Sequence, residues 1–182
     1  MVTESLESDN PHKDYLYLLE YWQGKFTSDG SLPTLTDIEL MDLWTIASNM
    51  TIIDIERAKN TRPRYRWRYA GSNIRQYIGM EITNKYLEDV CDPQTVSVIE
   101  ESYDWICREK KPHYWRRKLD FPNSGFKHRN YERGLVPLIS DTAEVDHILG
   151  VYIFEGFESE YELPQLNADE RVSLIETNEP SK

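Results

Sequence analysis

The chain has 182 residues, enough for one domain with a genuine core and extensions at either end, and no run of about 18 apolar residues that would span a membrane. A net charge of −11 argues against nonspecific attraction to phosphate backbones. The two cysteines, Cys91 and Cys107, form no CxxC, which speaks against a disulfide framework or a zinc site. The opening MVTESLESDN is acidic and polar, without the basic and apolar regions of a secretory signal, so the expected location is cytoplasmic. Charge is unevenly placed: from Arg62 to Arg133 there are 15 Lys or Arg against 10 Asp or Glu, a local +5, leaving −16 for the rest.

Residues 1–11 read as a disordered lead-in. Residues 12–30 read as an N-terminal flanking helix and the break after it, because Tyr15, Leu18, Leu19, Trp22 and Phe26 recur at helical spacing. TDIELMDLWTIAS predicts a second amphipathic helix capped by Thr36 or Asp37, and NMTIIDIE predicts a strand from its β-branched density. In RYRWRYA, strict alternation places Tyr65, Trp67 and Tyr69 on one face and Arg64, Arg66 and Arg68 on the other. Ile74, Tyr77 and Ile78 then mark a short helix, with a further helical piece around Lys85 to Val90. Asp92-Pro93 is a strong start for a longer helix that carries Val96, Ile99, Tyr103 and Ile106 on one face and stops at Pro112. Three strands follow: HYWRRKLDF, closed by the hairpin signal PNSG; KHRNYERGLVPLIS, closed by DTAE; and VDHILGVYIFEG. Residues 157–182 read as an acidic, flexible tail. The order predicts an α+β domain over residues 31–156, a five-stranded antiparallel sheet with helices on one face, plus the flanking helix.

That order resembles a PAS domain, and local motifs sharpen the resemblance. LPTLTDIELMDL, NMTIIDIE and RYRWRYAGSNIRQYIGMEITNKYLEDV are similar to the PAS-type family found mainly in alphaproteobacteria. The family's R-x-R-φ-x-G-T-x-I junction (φ apolar) corresponds to Arg66 through Ile74, and its G-x-D-φ-T-G-x-x-L-x-D/E segment to Gly79 through Glu88. Leu40 stands where the family has proline, Ser72 where it has threonine, Glu81 for aspartate and Asn84 for glycine. Asn tolerates the left-handed backbone that glycine would serve at the last of these. The resemblance implies a stand-alone sensory or adaptor domain that binds a small molecule, a protein partner or both, and passes the change through its sheet and N-terminal helix. It implies a homodimer and a signalling protein partner.

Candidate pocket walls between sheet and helices are Ile52, Trp67, Tyr69, Ile74, Tyr77, Ile78, Leu87, Ile99, Tyr103, Trp115, Tyr131 and Leu135. Their aromatic richness suits a ligand, since buried Tyr and Trp bring polar groups that need partners. Tyr15, Leu18, Leu19 and Trp22 are candidates for a dimer or partner surface, or for packing on the chain's own sheet. Neither haem nor flavin is expected, because the long helix holds no histidine and Cys91 lacks the flavin-type helix motif around it. No metal or catalytic residue is assigned: no nucleophile–base–orienter set emerges from spacing, and Asp146 and His147 should point to opposite faces of a strand. Nucleic-acid binding is disfavoured by the acidic total. The alternatives are a small pocket enzyme of isomerase or dehydratase type, which needs an inward carboxylate, and a ligand-free dimeric interaction module.

Overall fold

A computed structural model describes residues 11–119 and 129–154 of the chain. Its elements are α1 (Lys13–Gln23), β1 (Met50–Glu56), β2 (Arg64–Ala70), α2 (Ser72–Ile78), α3 (Leu87–Val90), α4 (Pro93–Glu109), β3 (His113–Leu119), β4 (Arg129–Ile139) and β5 (Val145–Phe154). The strands form one sheet in the order β2-β1-β5-β4-β3, with every neighbouring pair antiparallel. This is the five-stranded α+β plan that the element order predicts. The hairpin signal at 122–125, residues 1–10 and the acidic tail lie outside the described residues.

Local chemistry explains most boundaries. Asp92 caps α4 by accepting from the backbone N–H of Gln94 (3.0 Å) and Thr95 (3.1 Å), with Pro93 in the first turn. The helix ends at Lys110, whose φ of 56° turns the backbone left-handed two residues before Pro112. Asn84 has φ 65°, the left-handed conformation that the family's glycine would supply.

The segment after α1 differs from the expected amphipathic helix. It forms three short 3-10 turns, at Leu35–Asp37, Leu40–Leu43 and Ala47–Asn49. Side chains there bond the backbone instead of leaving it free to propagate: Asp37 accepts from the Thr34 N–H at 2.8 Å, and Glu39 accepts from Met41. Asp and Thr compete with helical hydrogen bonding in this way, and Thr36, Ile38, Thr45 and Ile46 add β-branched stiffness.

The sheet carries a separate core on each side. Helices α2, α3 and α4 cover one side, around Ile53, Tyr65, Trp67, Ile74, Tyr77, Ile106, Ile148 and Phe154. Helix α1 covers the other, around Met50, Ile52, Val136, Leu138, Leu149 and Val151. All four apolar stripe residues of α1, Tyr15, Leu18, Leu19 and Trp22, are buried against the chain's own sheet. The Trp22 indole N–H donates to the Pro137 carbonyl at 2.8 Å, fixing the helix to β4.

Two breaks in register decide which side some residues face. Between β1 and β2, Ile52 pairs with Tyr69 but Ile53 pairs with Trp67, so Arg68 is an extra residue in a bulge. Strict alternation therefore fails, and Tyr69 turns to the α1 side while Tyr65 and Trp67 stay on the helix-covered side. Between β4 and β5, Leu138 pairs with His147 and Ile139 with Val145, leaving Asp146 unpaired in the ladder. The expectation that Asp146 and His147 diverge is overturned there: His147 Nδ1 lies 2.8 Å from Asp146 Oδ1.

Candidate functional site

The helix-covered side of the sheet brings together Trp67, Ile74, Tyr77, Leu87, Tyr103 and Leu135 from the predicted pocket set, with Ile78, Ile99 and Trp115 packed at its margin. Tyr69 joins the opposite core through the bulge and Ile52 by alternation with Ile53 along β1, and the Tyr69 hydroxyl donates to the Ala47 carbonyl at 2.9 Å. The Tyr131 side chain lies outside the described residues. The predicted pocket set left out Arg133, Tyr152 and Phe154 on this side, and also Tyr65, although alternation had placed it on one face with Trp67. Arg133 was within reach, since it stands in phase between Tyr131 and Leu135 on the same strand.

Tyr103 reaches this space from α4, Trp115 from β3, Arg133 from β4 and Tyr152 from β5. Arg133 has 0 % relative exposure. Its guanidinium carbon lies 3.7 Å from the centroid of the Trp115 ring and 5.4 Å from that of Tyr103. Among the described residues, Nε, Nη1 and Nη2 of Arg133 meet no hydrogen-bond acceptor. A guanidinium is a permanent cation in proteins. Burying such an ion carries an effective penalty of several kcal/mol, whereas a desolvated cation–π stack returns about 2 kcal/mol.

Around it lie polar tyrosines. Tyr103 and Tyr152 place their hydroxyl oxygens 3.2 Å apart, and Tyr65 donates its hydroxyl to Asp104 at 2.6 Å. Burial, reinforced by that acceptor, pushes the Tyr65 hydroxyl well above its ordinary range. The rings pack as well: Tyr77 stacks on Phe154 at 3.7 Å between centroids, and Tyr65 meets Tyr103 edge-on at 4.9 Å. Burial raises the Cys91 and Cys107 thiols to about 11. Such thiols are inert at neutral pH.

On the sheet's other side, the arginines of β2 are engaged. Asp54 is buried and accepts from Arg66 Nη2 and Arg68 Nε, each at 2.6 Å, with His147 Nε2 at 3.3 Å. Arg66 Nε also holds Glu56 at 2.7 Å, and Glu56 accepts from the Tyr86 hydroxyl at 2.8 Å. The Tyr86 hydrogen bond first, then Arg66, holds the Glu56 carboxyl below its ordinary range. Arg64 pairs with Glu88 at 2.6 Å and stacks on Tyr86. The alternating arginine–aromatic stretch is an ion-pair lattice whose cations already hold carboxylates. No trio of His, Cys, Asp or Glu side chains that could hold a metal ion occurs among the described residues. Nor is any described helix long and apolar enough to cross a membrane.

Comparison with solved structures returns similar but distant folds. The PAS domain of BvgS from Bordetella pertussis is 16% identical, with 63% of this chain and 83% of that one covered and a TM-score of 0.45. The Rhodobacter sphaeroides LOV protein is 10% identical, with 66% and 70% covered and a TM-score of 0.44. The N-terminal domain of a diguanylate cyclase with a PAS/PAC sensor from Marinobacter aquaeolei is 13% identical, with 58% and 94% covered and a TM-score of 0.42. No curated protein matches the sequence. The decisive comparison is with a family model described as PAS domain, which matches residues 11–153 and so takes in α1 and all but the last residue of the sheet. The chain belongs to the PAS domain family.

Proposed function

We propose that this PAS domain is a sensory module that binds a small molecule between the sheet and α2–α4 and passes the change through β4 to α1. PAS domains are generally sensory signalling domains, which sets the class. The observation that carries the reading is the adjacency of Arg133 and Gly134 on β4. Arg133 enters the helix-covered core, and the next residue supports the Tyr15 ring of α1 on the opposite side. A ligand that shifts the Arg133 backbone displaces the seat of Tyr15, so the two sides of the sheet are mechanically linked. The module can be switched only by a ligand's difference in affinity between two such packings.

Output goes to a protein partner, a second copy of the chain or another protein. The α1 stripe is spent on its own sheet, and among the described residues the most exposed large apolar side chains lie in the adjoining 3-10 segment. There Met41 is 72 % and Trp44 54 % exposed, and the Tyr17 hydroxyl ties α1 to the Asp42 carbonyl at 2.8 Å. A shift of α1 would therefore reach that surface directly.

The test is native mass spectrometry of the purified full chain against the same sample denatured and extracted. A small molecule that travels with the folded protein and is released on denaturation is the expected result. A clean protein mass, with no thermal stabilisation by any of a broad set of small metabolites, sinks the ligand half of the reading.

A further inference from the structure

We infer that the ligand of this site is a monoanion bearing a planar carboxylate, recognised by Arg133; the inference rests on the sensory reading above. The other arginines show how this chain treats a guanidinium. Arg64, Arg66, Arg68, Arg75 and Arg116 each hold a carboxylate at 2.6 Å. Arg133 is more deeply buried than any of them, and among the described residues it meets no acceptor. A buried cation without an anion is the arrangement that proteins avoid unless a partner completes it.

Geometry narrows the partner. The guanidinium carbon sits over the Trp115 ring at 3.7 Å, and the donors that meet no acceptor among the described residues are the N–H groups, which lie in the guanidinium plane. In-plane paired donors match the two oxygens of a carboxylate. One buried positive charge balances one negative charge, whereas a phosphate monoester carries close to two at neutral pH. The rings of Trp115, Tyr103 and Tyr152 around the guanidinium suit an aromatic or otherwise planar body behind the carboxylate.

The experiment is thermal unfolding of the full chain with millimolar sodium benzoate, benzamide or inorganic phosphate at matched ionic strength, on the wild type, Arg133→Met and Arg133→Lys. Benzamide keeps the ring and removes the charge. The expected result is stabilisation of the wild type by benzoate, with benzamide weaker by about tenfold or more in apparent affinity. Arg133→Met should lose the benzoate response and Arg133→Lys keep part of it. Should Arg133→Met fail to fold, the contrast between benzoate and benzamide on the wild type decides alone.

Equal responses to benzoate and benzamide, or a benzoate response that survives in Arg133→Met, overturn the carboxylate inference while leaving a ligand-binding sensor in place. A response to phosphate that exceeds benzoate overturns it in favour of a dianion. No response to any probe also overturns it, and greater stability of Arg133→Met would then mark Arg133 as a stacked structural residue. The sensory reading is judged separately, by the mass that the native protein carries.

Discussion

At Gly134 the Tyr15 ring of α1 lies against the backbone of β4. A Cβ built there would lie 1.8 Å from Tyr15 Cδ2 and 2.4 Å from Cγ, a ring that is also stacked on Tyr114 and so has little room to retreat. Gly134→Ala should destabilise the chain by about 1–3 kcal/mol through overpacking, read as a lower urea midpoint. In a double-mutant cycle Tyr15→Ala should cancel much of that cost, because the clash partner is gone. Additive effects of the two substitutions would show that the ring can move aside and that the contact does not couple the two cores. Arg133, one residue earlier, faces the opposite way, so the same strand position tests the proposed relay from both ends.

At the level of elements, α1 is a structural cover before it is a signalling arm. Its anchor is Trp22, which combines buried apolar area with the hydrogen bond to the Pro137 carbonyl. Proline has no N–H of its own, and its carbonyl on β4 lies beneath the helix. Trp22→Ala should cost about 3–5 kcal/mol. Trp22→Phe keeps most of the apolar bulk but leaves the carbonyl without its donor, and should cost about 1–3 kcal/mol. Equilibrium urea unfolding of both variants separates the packing contribution from the hydrogen bond. Near-equal costs would show that the hydrogen bond, and not the ring, holds the helix.

The described residues form one sheet between two cores, and both cores bury groups that ionise in the alkaline range. Cys91 and Cys107 are raised to about 11, and Tyr15, Tyr65 and Tyr114 are pushed above their ordinary range, burial being the largest cause in each. The unfolded chain releases these protons from about pH 8.5 for thiols and about pH 10 for tyrosines. Above those values the unfolded state therefore binds fewer protons than the folded state. The corresponding stability is fully present below about pH 8.5 and is lost progressively as pH rises through the thiol and then the tyrosine range. Urea midpoints should fall steadily from pH 8 to pH 10.5, and a flat profile would contradict the burial of these groups. The same shift leaves on the order of one thiolate in a thousand at pH 8. Iodoacetamide should accordingly label the native chain slowly and the urea-unfolded chain quickly.

The sequence by itself determined the order of elements, the Asp92-Pro93 start of α4, the left-handed Asn84 and the helical stripe of α1, because caps, turns and short periodicities are local. It also carried the PAS resemblance, whose motifs lie within single strand-to-helix junctions. Only the tertiary structure decided that Tyr69 leaves the helix-covered side, because one bulged residue at Arg68 reverses the phase of β2 beyond it, and that Ile52 lies opposite, because alternation along β1 gives the helix-covered side to Ile53 and Ile55. The same holds for His147 and Asp146, brought together by a second bulge. Whether α1 covers its own sheet or a neighbour is likewise a matter of packing, since an apolar stripe specifies that it must be buried but not by what. Arg133 is the clearest case. Its phase along β4 was legible, but its lack of an acceptor among the described residues was not, because charge balance is a property of three-dimensional neighbours that four separate elements bring together.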